Sequence, residues 1–487
     1  MSQKHLYVKT RIGLILLLLA VLSACNPPSK PNVVFILVDD LGWSDLGCYG
    51  STFYDTPNLD QLAGQSIRFT NAYSASPVCS PTRAAIMTGR HPVRVGITDW
   101  IPGMQEDYAD CPLLSTPEDI HNLPLEEVTL AELFRDHGYR TFFAGKWHLG
   151  ESEAYWPREQ GFEINKGGNH KGSPTFPGGL GYYAPYGNPC LSDGPPGEYL
   201  TDRLCDESIR FIDSAGDDPF FLYLSFYTVH TPIQGCREYD DYYLGNSHAL
   251  PDSGKMAVRM EHDGITRINQ SDPKYAAMVR SMDNNVGRLL EKLEESGKSD
   301  NTIVIFTSDN GGLSTRRNGG PTSVLPLRAG KGWCYEGGIR VPLLISFPGI
   351  KHRGSSCDQP VISMDFLPTL KELAGIQEEP GPTLDGQSLV PWCMDPDYEE
   401  ERSLVWHYPH YHGSTWRPGS AIRHKQWKLV EFYEDQSLEL YDLSTDIAES
   451  NNLREAYPAL VDSLRKEMHR ELNEMGASYP VRKRSTE

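Results

Sequence analysis

The stretch that decides the fold is PNVVFILVDD (residues 31–40). It is an apolar run, rich in β-branched residues and without alternation, that ends on two aspartates. A strand that is apolar on both faces is typical of the middle of a parallel sheet. Two similar runs, FFLYLSFYTVH (220–230) and TIVIFTSDN (302–310), also end on polar residues. The three runs predict a buried parallel sheet with polar groups at the carboxyl ends of its strands, where ligands bind in such folds.

Helical patterns lie between these strands. LAELFRDHGY (130–139) and YAAMVRSMDNNVGRLLEKLEESG (275–297) carry apolar residues near spacings of three and four, and the second ends on glycine. Strands that alternate with helices predict an α/β fold with a large mixed, mainly parallel sheet sandwiched by helices.

The chain is expected to divide into a larger domain that carries the predicted sheet (32–375) and a smaller C-terminal α+β subdomain (376–487). Residues 161–197 are rich in Gly, Pro and Tyr, which predicts a long loop over the site. Short alternating segments within 420–443 predict an antiparallel sheet, and residues 455–475 predict an amphipathic helix.

The N-terminus reads as a targeting segment. A basic start is followed by the apolar run IGLILLLLAVL (12–22), which is too short to span a bilayer comfortably. Leu-Ser-Ala-Cys (22–25) resembles a bacterial lipobox, with residues 1–24 as signal peptide, Cys25 as the lipidated residue and 25–31 as a tether. The alternative is an ordinary cleaved signal peptide. The expected location is the periplasm or outer membrane, with membrane contact only through the N-terminal lipid.

Charge and cysteine content narrow the class of protein. The 487 residues carry a formal net charge of −20, which argues against a nucleic-acid partner but not against a small anion in a locally positive pocket. No Cys-x-x-Cys or Cys/His cluster indicates zinc. Besides Cys25 and Cys79, eight cysteines could form disulfides in an exported protein, and sequence does not choose their pairing: Cys48, Cys111, Cys190, Cys205, Cys236, Cys334, Cys357 and Cys393.

Two acidic pairs follow predicted strands. Asp39 and Asp40 end the first run, and Asp309 and Asn310 end the third. Either pair alone is more typical of Asx capping of a loop. Two pairs at neighbouring strand ends favour a site for a hard cation such as Ca²⁺ or Mg²⁺.

Fixed positive groups and histidines complete the candidate pocket. GKWHLG (145–150) places Lys146 and His148 two residues apart, His230 follows a buried strand, and Lys331 lies between glycines. Taken singly, these are compatible with a solvated loop, a hydrogen-bonded core histidine and a surface lysine. Together with a cation they predict a pocket that stabilises a tetrahedral oxyanion, hence sulfuryl or phosphoryl transfer. This reasoning leaves the nucleophile unidentified.

The segment SPVCSPTRAAIMTGR (76–90) places Cys79 among residues that neither bury a structural thiol nor bind a metal. With this segment the chain closely resembles the type I sulfatases of the alkaline phosphatase superfamily, and bacterial carbohydrate sulfatases and arylsulfatases in particular. Cys79-x-Pro81-x-Arg83 is similar to the family's modification signature, in which a maturation enzyme oxidises the cysteine to Cα-formylglycine. The resemblance spans about residues 32–392 and includes, in family order, NVVFILVDDLGWSDLGCYG, SPVCSPTRAAIMTGR, GKWHLG, TIVIFTSDNGG, LRAGKGWCYEGGIRVP, SMDFLPTL and LDGQSLVPW.

The resemblance implies an alkaline-phosphatase-like fold and a hydrated formylglycine at position 79. One of its hydroxyls, with its proton accepted by Asp309, attacks sulfur and gives a sulfated enzyme intermediate. The implied ligands of one Ca²⁺ ion are Asp39, Asp40, Asp309, Asn310 and the modified Cys79.

The same resemblance implies roles for the other groups. Lys146 and Lys331 neutralise the sulfate oxygens, and Arg83 steadies the formylglycine. His230 gives a proton to the departing alcohol. His148 removes the proton of the second hydroxyl, which expels sulfate.

The expected substrate is a sulfated carbohydrate, cleaved in an exo fashion from glycosaminoglycan, algal or mucin-type glycan fragments. The segment WHYPHYHGSTWRPG (406–419) is rich in aromatic residues and histidines that suit a sugar pocket. The alternatives are a formylglycine-dependent phosphonate or phosphodiester hydrolase and a non-catalytic, glycan-capturing lipoprotein. The candidate specificity residues, each also compatible with simple loop packing, are Trp100, His170, Trp333, His407 and His410.

Overall fold

A computed structural model of the chain describes residues 30–103, 113–245, 256–377, 383–395 and 398–483. The predicted signal peptide, the lipidation site Cys25, most of the tether and Cys111 lie outside these residues. Among the described residues, no helix is both long and apolar enough to cross a lipid bilayer.

The strands follow one another along the chain as two-residue to seven-residue segments. They are β1 (Asn32–Val38), β2 (Ile67–Phe69), β3 (Ala72–Tyr73), β4 (Leu114–Ser115), β5 (Arg140–Gly145), β6 (Ile164–Lys166), β7 (Phe220–Ser225), β8 (Val258–Glu261), β9 (Gly264–Arg267), β10 (Thr302–Ser308), β11 (Thr315–Arg316), β12 (Leu343–Ser346), β13 (Ser356–Cys357), β14 (Val361–Ile362), β15 (Ser403–Tyr408), β16 (Gly419–His424), β17 (Trp427–Phe432), β18 (Leu438–Asp442) and β19 (Val481–Arg482).

The α-helices range from single turns to more than twenty residues. They are α1 (Pro57–Gln65), α2 (Cys79–Thr88), α3 (Pro92–Val95), α4 (Leu130–Asp136), α5 (Leu200–Ala215), α6 (Arg237–Gly245), α7 (Pro273–Glu295), α8 (Glu336–Ile339), α9 (Phe366–Leu373), α10 (Val390–Met394) and α11 (Pro458–Met475). Short 3-10 helices cover Gly47–Tyr49, Glu153–Tyr155, Pro157–Gln160, Ser299–Asn301 and Ser363–Asp365.

Eight strands form the central sheet, in the order β13-β2-β12-β10-β1-β7-β5-β6. β1 lies parallel to both β10 and β7, and β7, β5 and β6 continue the parallel arrangement. β12 pairs antiparallel with both β10 and β2. The predicted large mixed, mainly parallel sheet is therefore confirmed.

Side chains of β1 pack on both faces of the sheet because successive strand residues point to opposite sides. Every residue of β1 is buried. Val34 and Ile36 belong to a core that includes buried residues of α5 and α7, whereas Val33 and Phe35 belong to a second core with α4 and α9. Helices thus cover both faces, which explains why the strand shows no polar alternation.

The parallel register brings three strand ends to one edge of the sheet. Val38 pairs with Ser308 of β10, and Leu37 pairs with Ser225 of β7. The residues that follow these strands, Asp39-Asp40 and Asp309-Asn310 among them, therefore emerge together, as the sequence predicted.

A four-stranded antiparallel sheet, β15-β16-β17-β18, forms the C-terminal part. The predicted antiparallel sheet is confirmed, but it begins one strand earlier than residue 420, because β15 pairs along its length with β16. Buried residues of α11 pack against one face of this sheet. The indole of Trp406 donates to the carbonyl of Ser74 at 2.8 Å, which joins this sheet to the segment that follows β3.

A buried ion cluster makes a second junction. The ammonium of Lys428, in β17, lies 2.9 Å from Glu336 Oε1 at the start of α8 and 2.9 Å from Glu449 Oε1. All three side chains are fully buried. Glu449 also accepts from the backbone N–H of Glu336 at 2.7 Å. The cluster holds α8, which follows the Lys331 loop, against the C-terminal sheet.

Two expectations need correction or completion. Residues 161–197 are not only loop: they contribute β6, which pairs with β5 at an edge of the central sheet. The eight cysteines that the structure describes, Cys79 included, are free thiols, so no disulfide forms among them.

Candidate active site

The first acidic pair turns away from the sheet at the end of β1. Asp39 and Asp40 are both buried, and Asp40 has a φ of 62°, a left-handed conformation in which a non-glycine residue is uncommon. The backbone N–H of Asp40 donates to Asp309 Oδ1 at 3.2 Å. The turn breaks the strand alternation, so that both carboxylates can point into one pocket.

Oxygen atoms and one sulfur converge at the sheet edge. Ligand atoms of Asp39, Asp40, Asp309 and Cys79 all lie within 4.8 Å of one another. In the described part of the chain, Asp40 Oδ2 and Asn310 Oδ1 are buried without a hydrogen-bond partner. Buried polar atoms are normally satisfied, so two orphaned oxygens, one of them in a cluster of three carboxylates, fit a hard cation.

Cys79 lies at the first position of α2, with 2% of its surface exposed. Its Sγ is 3.6 Å from Asp39 Oδ1 and 3.2 Å from Lys331 Nζ. Burial raises the pKa of the Cys79 thiol to about 12, against the opposing effect of Lys146 and Lys331. A thiol that stays protonated is a poor nucleophile.

Arg83 lies one turn after Cys79 on α2, and its guanidinium contacts several groups of the site. Its Nε donates to Asp309 Oδ2 at 2.8 Å, and its Nη2 lies 2.7 Å from the same oxygen as an ion-pair contact. Its Nη1 donates to the carbonyl of Lys146 and to Ser225 Oγ, both at 2.7 Å. Arg83 therefore fixes one carboxylate and ties α2 to the ends of β5 and β7. Sequence reasoning did not identify Ser225, because a serine within an apolar strand carries no separate signal.

Two lysines each pair with one carboxylate of the cluster. Lys146 Nζ lies 2.7 Å from Asp39 Oδ2, and Lys331 Nζ lies 2.6 Å from Asp40 Oδ1. Lys331 is positioned by its own N–H, which donates to the carbonyl of Gly312 at 3.0 Å. Both ammonium groups are buried, so their charges are little screened and suit a tetrahedral oxyanion.

The carboxylates respond differently to these neighbours. Burial raises the pKa of Asp39 to about 7. Lys146 opposes this rise, whereas the like charges of Asp309 and Asp40 add to it. Burial acts on Asp40 in the same sense, but Lys331 and His230 outweigh it and hold its pKa well below the usual range. A crowded trio of carboxylates of this kind is stabilised by a cation.

His230 lies in the loop after β7, with Nε2 3.8 Å from Asp40 Oδ2. Nδ1 donates to the carbonyl of Thr231 at 2.8 Å, which leaves Nε2 as the nitrogen that can take up a proton. Burial, followed by the charge of Lys331, lowers the pKa of His230 to about 3. Without substrate the ring is therefore neutral, with Nε2 free to take up a proton.

The His148 ring is held between the backbone of Ile101 and that of Gly172. Its Nε2 donates to the carbonyl of Ile101 at 2.5 Å, and the N–H of Ile101 donates to Ser80 Oγ, next to Cys79, at 3.1 Å. A Cβ on Gly172 would lie 2.4 Å from the imidazole. Nδ1 is buried without a hydrogen-bond partner among the described residues, and burial followed by Lys146 holds the pKa of His148 well below its usual value. The free lone pair is therefore on Nδ1.

Replacing Gly172 by alanine should displace the His148 ring. We expect kcat to fall by about 10- to 100-fold, because misplacement of a catalytic group by about 1 Å has effects of that size. The measurement is kcat together with the thermal unfolding midpoint. Gly64→Ala is the matched control, since a Cβ there meets nothing within 4 Å. Equal kcat for the two variants would contradict the role assigned to Gly172.

The five candidate specificity residues have different surroundings. His407 is buried, and both ring nitrogens are used, by Ser420 Oγ and the carbonyl of Ser478, so it serves the packing of the C-terminal sheet. His410 is buried against Thr98, and the indole of Trp333 donates to the carbonyl of Ser414. Trp100 is half-buried beside the core that contains Trp333, and His170 is exposed and stacks on Trp156. For these four a substrate contact stays a prediction.

His412 is a residue that sequence reasoning did not identify. A Cβ on Gly332 would lie 2.0 Å from His412 Nδ1, so the ring rests on the glycine next to Lys331. The histidine-rich segment was the available signal. β15 ends at Tyr408, and His412 reaches this position from the turn that follows.

Comparisons with known proteins agree with this geometry. The sulfatase family profile matches residues 31–376, and a profile for the C-terminal part of N-sulphoglucosamine sulphohydrolase matches residues 329–478. A sulfatase from Formosa agariphila is 33% identical, covering 88% of this chain and 85% of the relative. Human N-acetylgalactosamine-6-sulfatase is 31% identical, covering 85% of this chain and 75% of the relative.

A solved structure agrees as well. Ps i-CgsB in complex with k-i-k-neocarrahexaose has a TM-score of 0.71 and 30% identity, covering 91% of this chain and 93% of that chain. The chain belongs to the sulfatase family, has its alkaline-phosphatase-like fold, and is a hydrolase of sulfuric esters.

Proposed function

We propose that this sulfatase removes sulfate from a sulfated saccharide in an exo fashion, with a Cα-formylglycine formed from Cys79 and one Ca²⁺ ion. The observation that carries the proposal is the position of Cys79, buried between the carboxylate cluster and Lys331. Relatives that act on or bind saccharides, by their names, support a sugar substrate. Fragments of glycosaminoglycan, algal or mucin-type glycans are the substrate class we propose.

Five residues would hold the cation: Asp39, Asp40, Asp309, Asn310 and the modified residue 79. When bound, Ca²⁺ supplies fixed positive charge against sulfate oxygens, and a hydrated formylglycine supplies the attacking hydroxyl. The two orphaned oxygens, Asp40 Oδ2 and Asn310 Oδ1, support this ligand set.

The remaining groups bind, orient and move protons. Lys146 and Lys331 neutralise the sulfate oxygens, and Arg83 holds Asp309 in place as the acceptor of the nucleophile's proton. His230 takes up a proton at Nε2 and passes it to the leaving alcohol oxygen. His148 accepts the second hydroxyl's proton at Nδ1, the ring nitrogen that its hydrogen bond to Ile101 leaves free.

Removing the cation should inactivate the enzyme and destabilise it. Chelation leaves three buried carboxylates in mutual contact, so we expect kcat/KM to fall at least about a hundredfold. The thermal unfolding midpoint should fall too, because an ion bound only by the native state stabilises it. Both readouts should recover on adding Ca²⁺. Full activity after exhaustive chelation would contradict the proposed cation.

The decisive experiment compares substrates. The protein is co-expressed with a formylglycine-generating enzyme, residue 79 is checked by intact mass, and sulfate release is measured on sulfated mono- and disaccharides of defined linkage. An aryl sulfate and an aryl phosphodiester are run in parallel. Faster turnover of the diester would favour the phosphonate or phosphodiester hydrolase. Glycan binding without any release would favour a capture protein. The paired lysines, Lys146 and Lys331, favour sulfate.

We further propose that the chain is exported as a bacterial lipoprotein to the periplasm or outer membrane. The basic start, the apolar run of residues 12–22 and the lipobox at Cys25 support this. Metabolic labelling with a fatty acid tests it: label should enter the wild type and be lost in Cys25→Ala.

A further inference from the structure

Three tyrosines, which we call the tyrosine clamp, pack against the loop that follows β7 and carries His230. They are Tyr182 and Tyr183, from the segment 161–197, and Tyr199, directly before α5. Tyr182 and Tyr199 are buried, and their rings stack with centroids 5.7 Å apart. Each of the three hydroxyls donates to a backbone carbonyl of the loop. The clamp therefore joins the long segment to the main chain of this loop.

Tyr182 is the member of the clamp that reaches His230. Its hydroxyl donates to the carbonyl of Tyr227 at 2.6 Å and to that of His230 at 2.8 Å, so one proton serves both oxygens. The carbonyl of Tyr227 also accepts from the N–H of His230 at 2.9 Å. For the carbonyl of His230, the hydroxyl of Tyr182 is the partner found within the described residues. The orientation of this carbonyl therefore depends on Tyr182.

The same stretch of backbone sets the position of the His230 imidazole. Nδ1 donates to the carbonyl of Thr231 at 2.8 Å, so the ring is hydrogen-bonded to the residue that follows its own. Nε2, the other ring nitrogen, lies 3.8 Å from Asp40 Oδ2. Since the ring and the backbone of residues 230–231 are joined in this way, a rotation of the backbone displaces Nε2.

Tyr182 is in turn held by its main chain. Its N–H donates to Gln234 Oε1 at 2.8 Å, and Gln234 Nε2 donates to the carbonyl of Leu180 at 3.2 Å. Gly181 lies between these contacts with a φ of 73°, and a Cβ there would lie 2.3 Å from Gln234 Oε1. Glycine at this position permits both the left-handed backbone and the close approach. The hydroxyl of Tyr182 is thereby fixed relative to the loop.

We infer that Tyr182 is a positioning residue for proton transfer to the leaving alcohol and acts through the backbone of His230. The inference rests on the role proposed for His230. As the S–O bond of the ester breaks, its electron pair stays on the alcohol oxygen, and His230 Nε2 gives that oxygen a proton. Proton transfer requires hydrogen-bond distance between the two atoms, so a small displacement of Nε2 slows it.

The test compares esters that differ in their need for this proton. 4-Nitrophenyl sulfate releases a stabilised phenolate, whereas phenyl sulfate releases a more basic one and depends more on the acid. Both are measured as kcat/KM on the formylglycine-bearing enzyme with Ca²⁺. We expect Tyr182→Phe to lower kcat/KM about tenfold on phenyl sulfate and less than about threefold on 4-nitrophenyl sulfate. His230→Ala should change the ratio of the two rates in the same direction and by more.

Tyr199→Phe is the matched control. It also removes a buried hydroxyl that donates to a carbonyl of the loop, at 2.7 Å, but the acceptor is Gln234 and not His230. Any loss of rate should be equal for the two esters. The inference is overturned if the ratio is unchanged in Tyr182→Phe while it changes in His230→Ala, or if Tyr199→Phe changes it as much as Tyr182→Phe does.

Two further measurements keep the test decisive. If Tyr182→Phe does not fold, Gln234→Ala takes its place, because it releases the main chain of Tyr182 from a partly exposed partner and should shift the ratio in the same direction. A crystal structure of the folded variant should show His230 Nε2 displaced relative to Asp40, and an unchanged position overturns the inference without reference to turnover. Failure of the proposed function is a separate result: an unchanged ratio in His230→Ala, or no sulfate release by the mature wild type from any sulfate ester.

Discussion

Cys79→Ala should abolish sulfate release, lowering kcat/KM by at least about a thousandfold, because it removes the precursor of the nucleophile. The fold should survive. Cys79 makes one weak contact to Lys331, at 3.2 Å, and one to Asp39, at 3.6 Å, so alanine leaves only a small space. The measurements are sulfate release, the thermal unfolding midpoint and Ca²⁺ binding by calorimetry.

The wild-type protein made without a maturation enzyme is the matched control. It keeps the thiol, whose pKa is raised to about 12 by burial, and we expect it to be as inactive as the alanine variant. Turnover by a protein that intact mass shows to be unmodified would contradict the assigned nucleophile. Loss of folding in Cys79→Ala would contradict only the statement that position 79 is dispensable for structure.

Lys428→Met should destabilise the protein by about 3–5 kcal/mol, because it leaves two buried carboxylates without their cation. Lys428 lies 2.9 Å from both Glu336 and Glu449. Burial already raises the pKa of Glu449 to about 7 with the lysine present. Urea unfolding followed by tryptophan fluorescence measures the effect, because Trp406 and Trp416 are buried in a hydrophobic core that the C-terminal sheet helps to form.

Arg470→Met is the control for this prediction. Arg470 pairs with Glu474 on the exposed face of α11, where both side chains are more than half exposed. Exposed pairs of this kind contribute about 0–1 kcal/mol. Equal stability of the two variants would show that the cluster does not hold the C-terminal sheet in place.

The acidic pairs were predictable from sequence because parallel strands deliver their carboxyl ends to one edge. That argument placed Asp39, Asp40, Asp309 and Asn310 together without any resemblance. Cys79 and Arg83 could be identified only through the family resemblance, because the residues around them do not indicate a modified cysteine. The structure then showed how Arg83 spans from Asp309 to Ser225.

Contacts made by backbone and by distant loops could not be predicted. Ile101 acts through its carbonyl and Gly172 through its missing side chain, so neither residue type carries a signal. In the histidine-rich segment, His407 lies within β15 and its ring is hydrogen-bonded inside the C-terminal part of the protein. His412 lies in the turn after that strand. A shift of a few residues in the strand boundary decides which histidine reaches the site.

The ion cluster formed by Lys428, Glu336 and Glu449 has a consequence for recombination between relatives. A chimera that takes its C-terminal sheet from another sulfatase also takes that protein's turn in place of the one that holds His412 against Gly332, next to Lys331. It also receives a new partner for Glu336, which lies on the other side of the junction. Exchanges that preserve this charge pairing should fold and transfer substrate preference. Exchanges that break it should not fold.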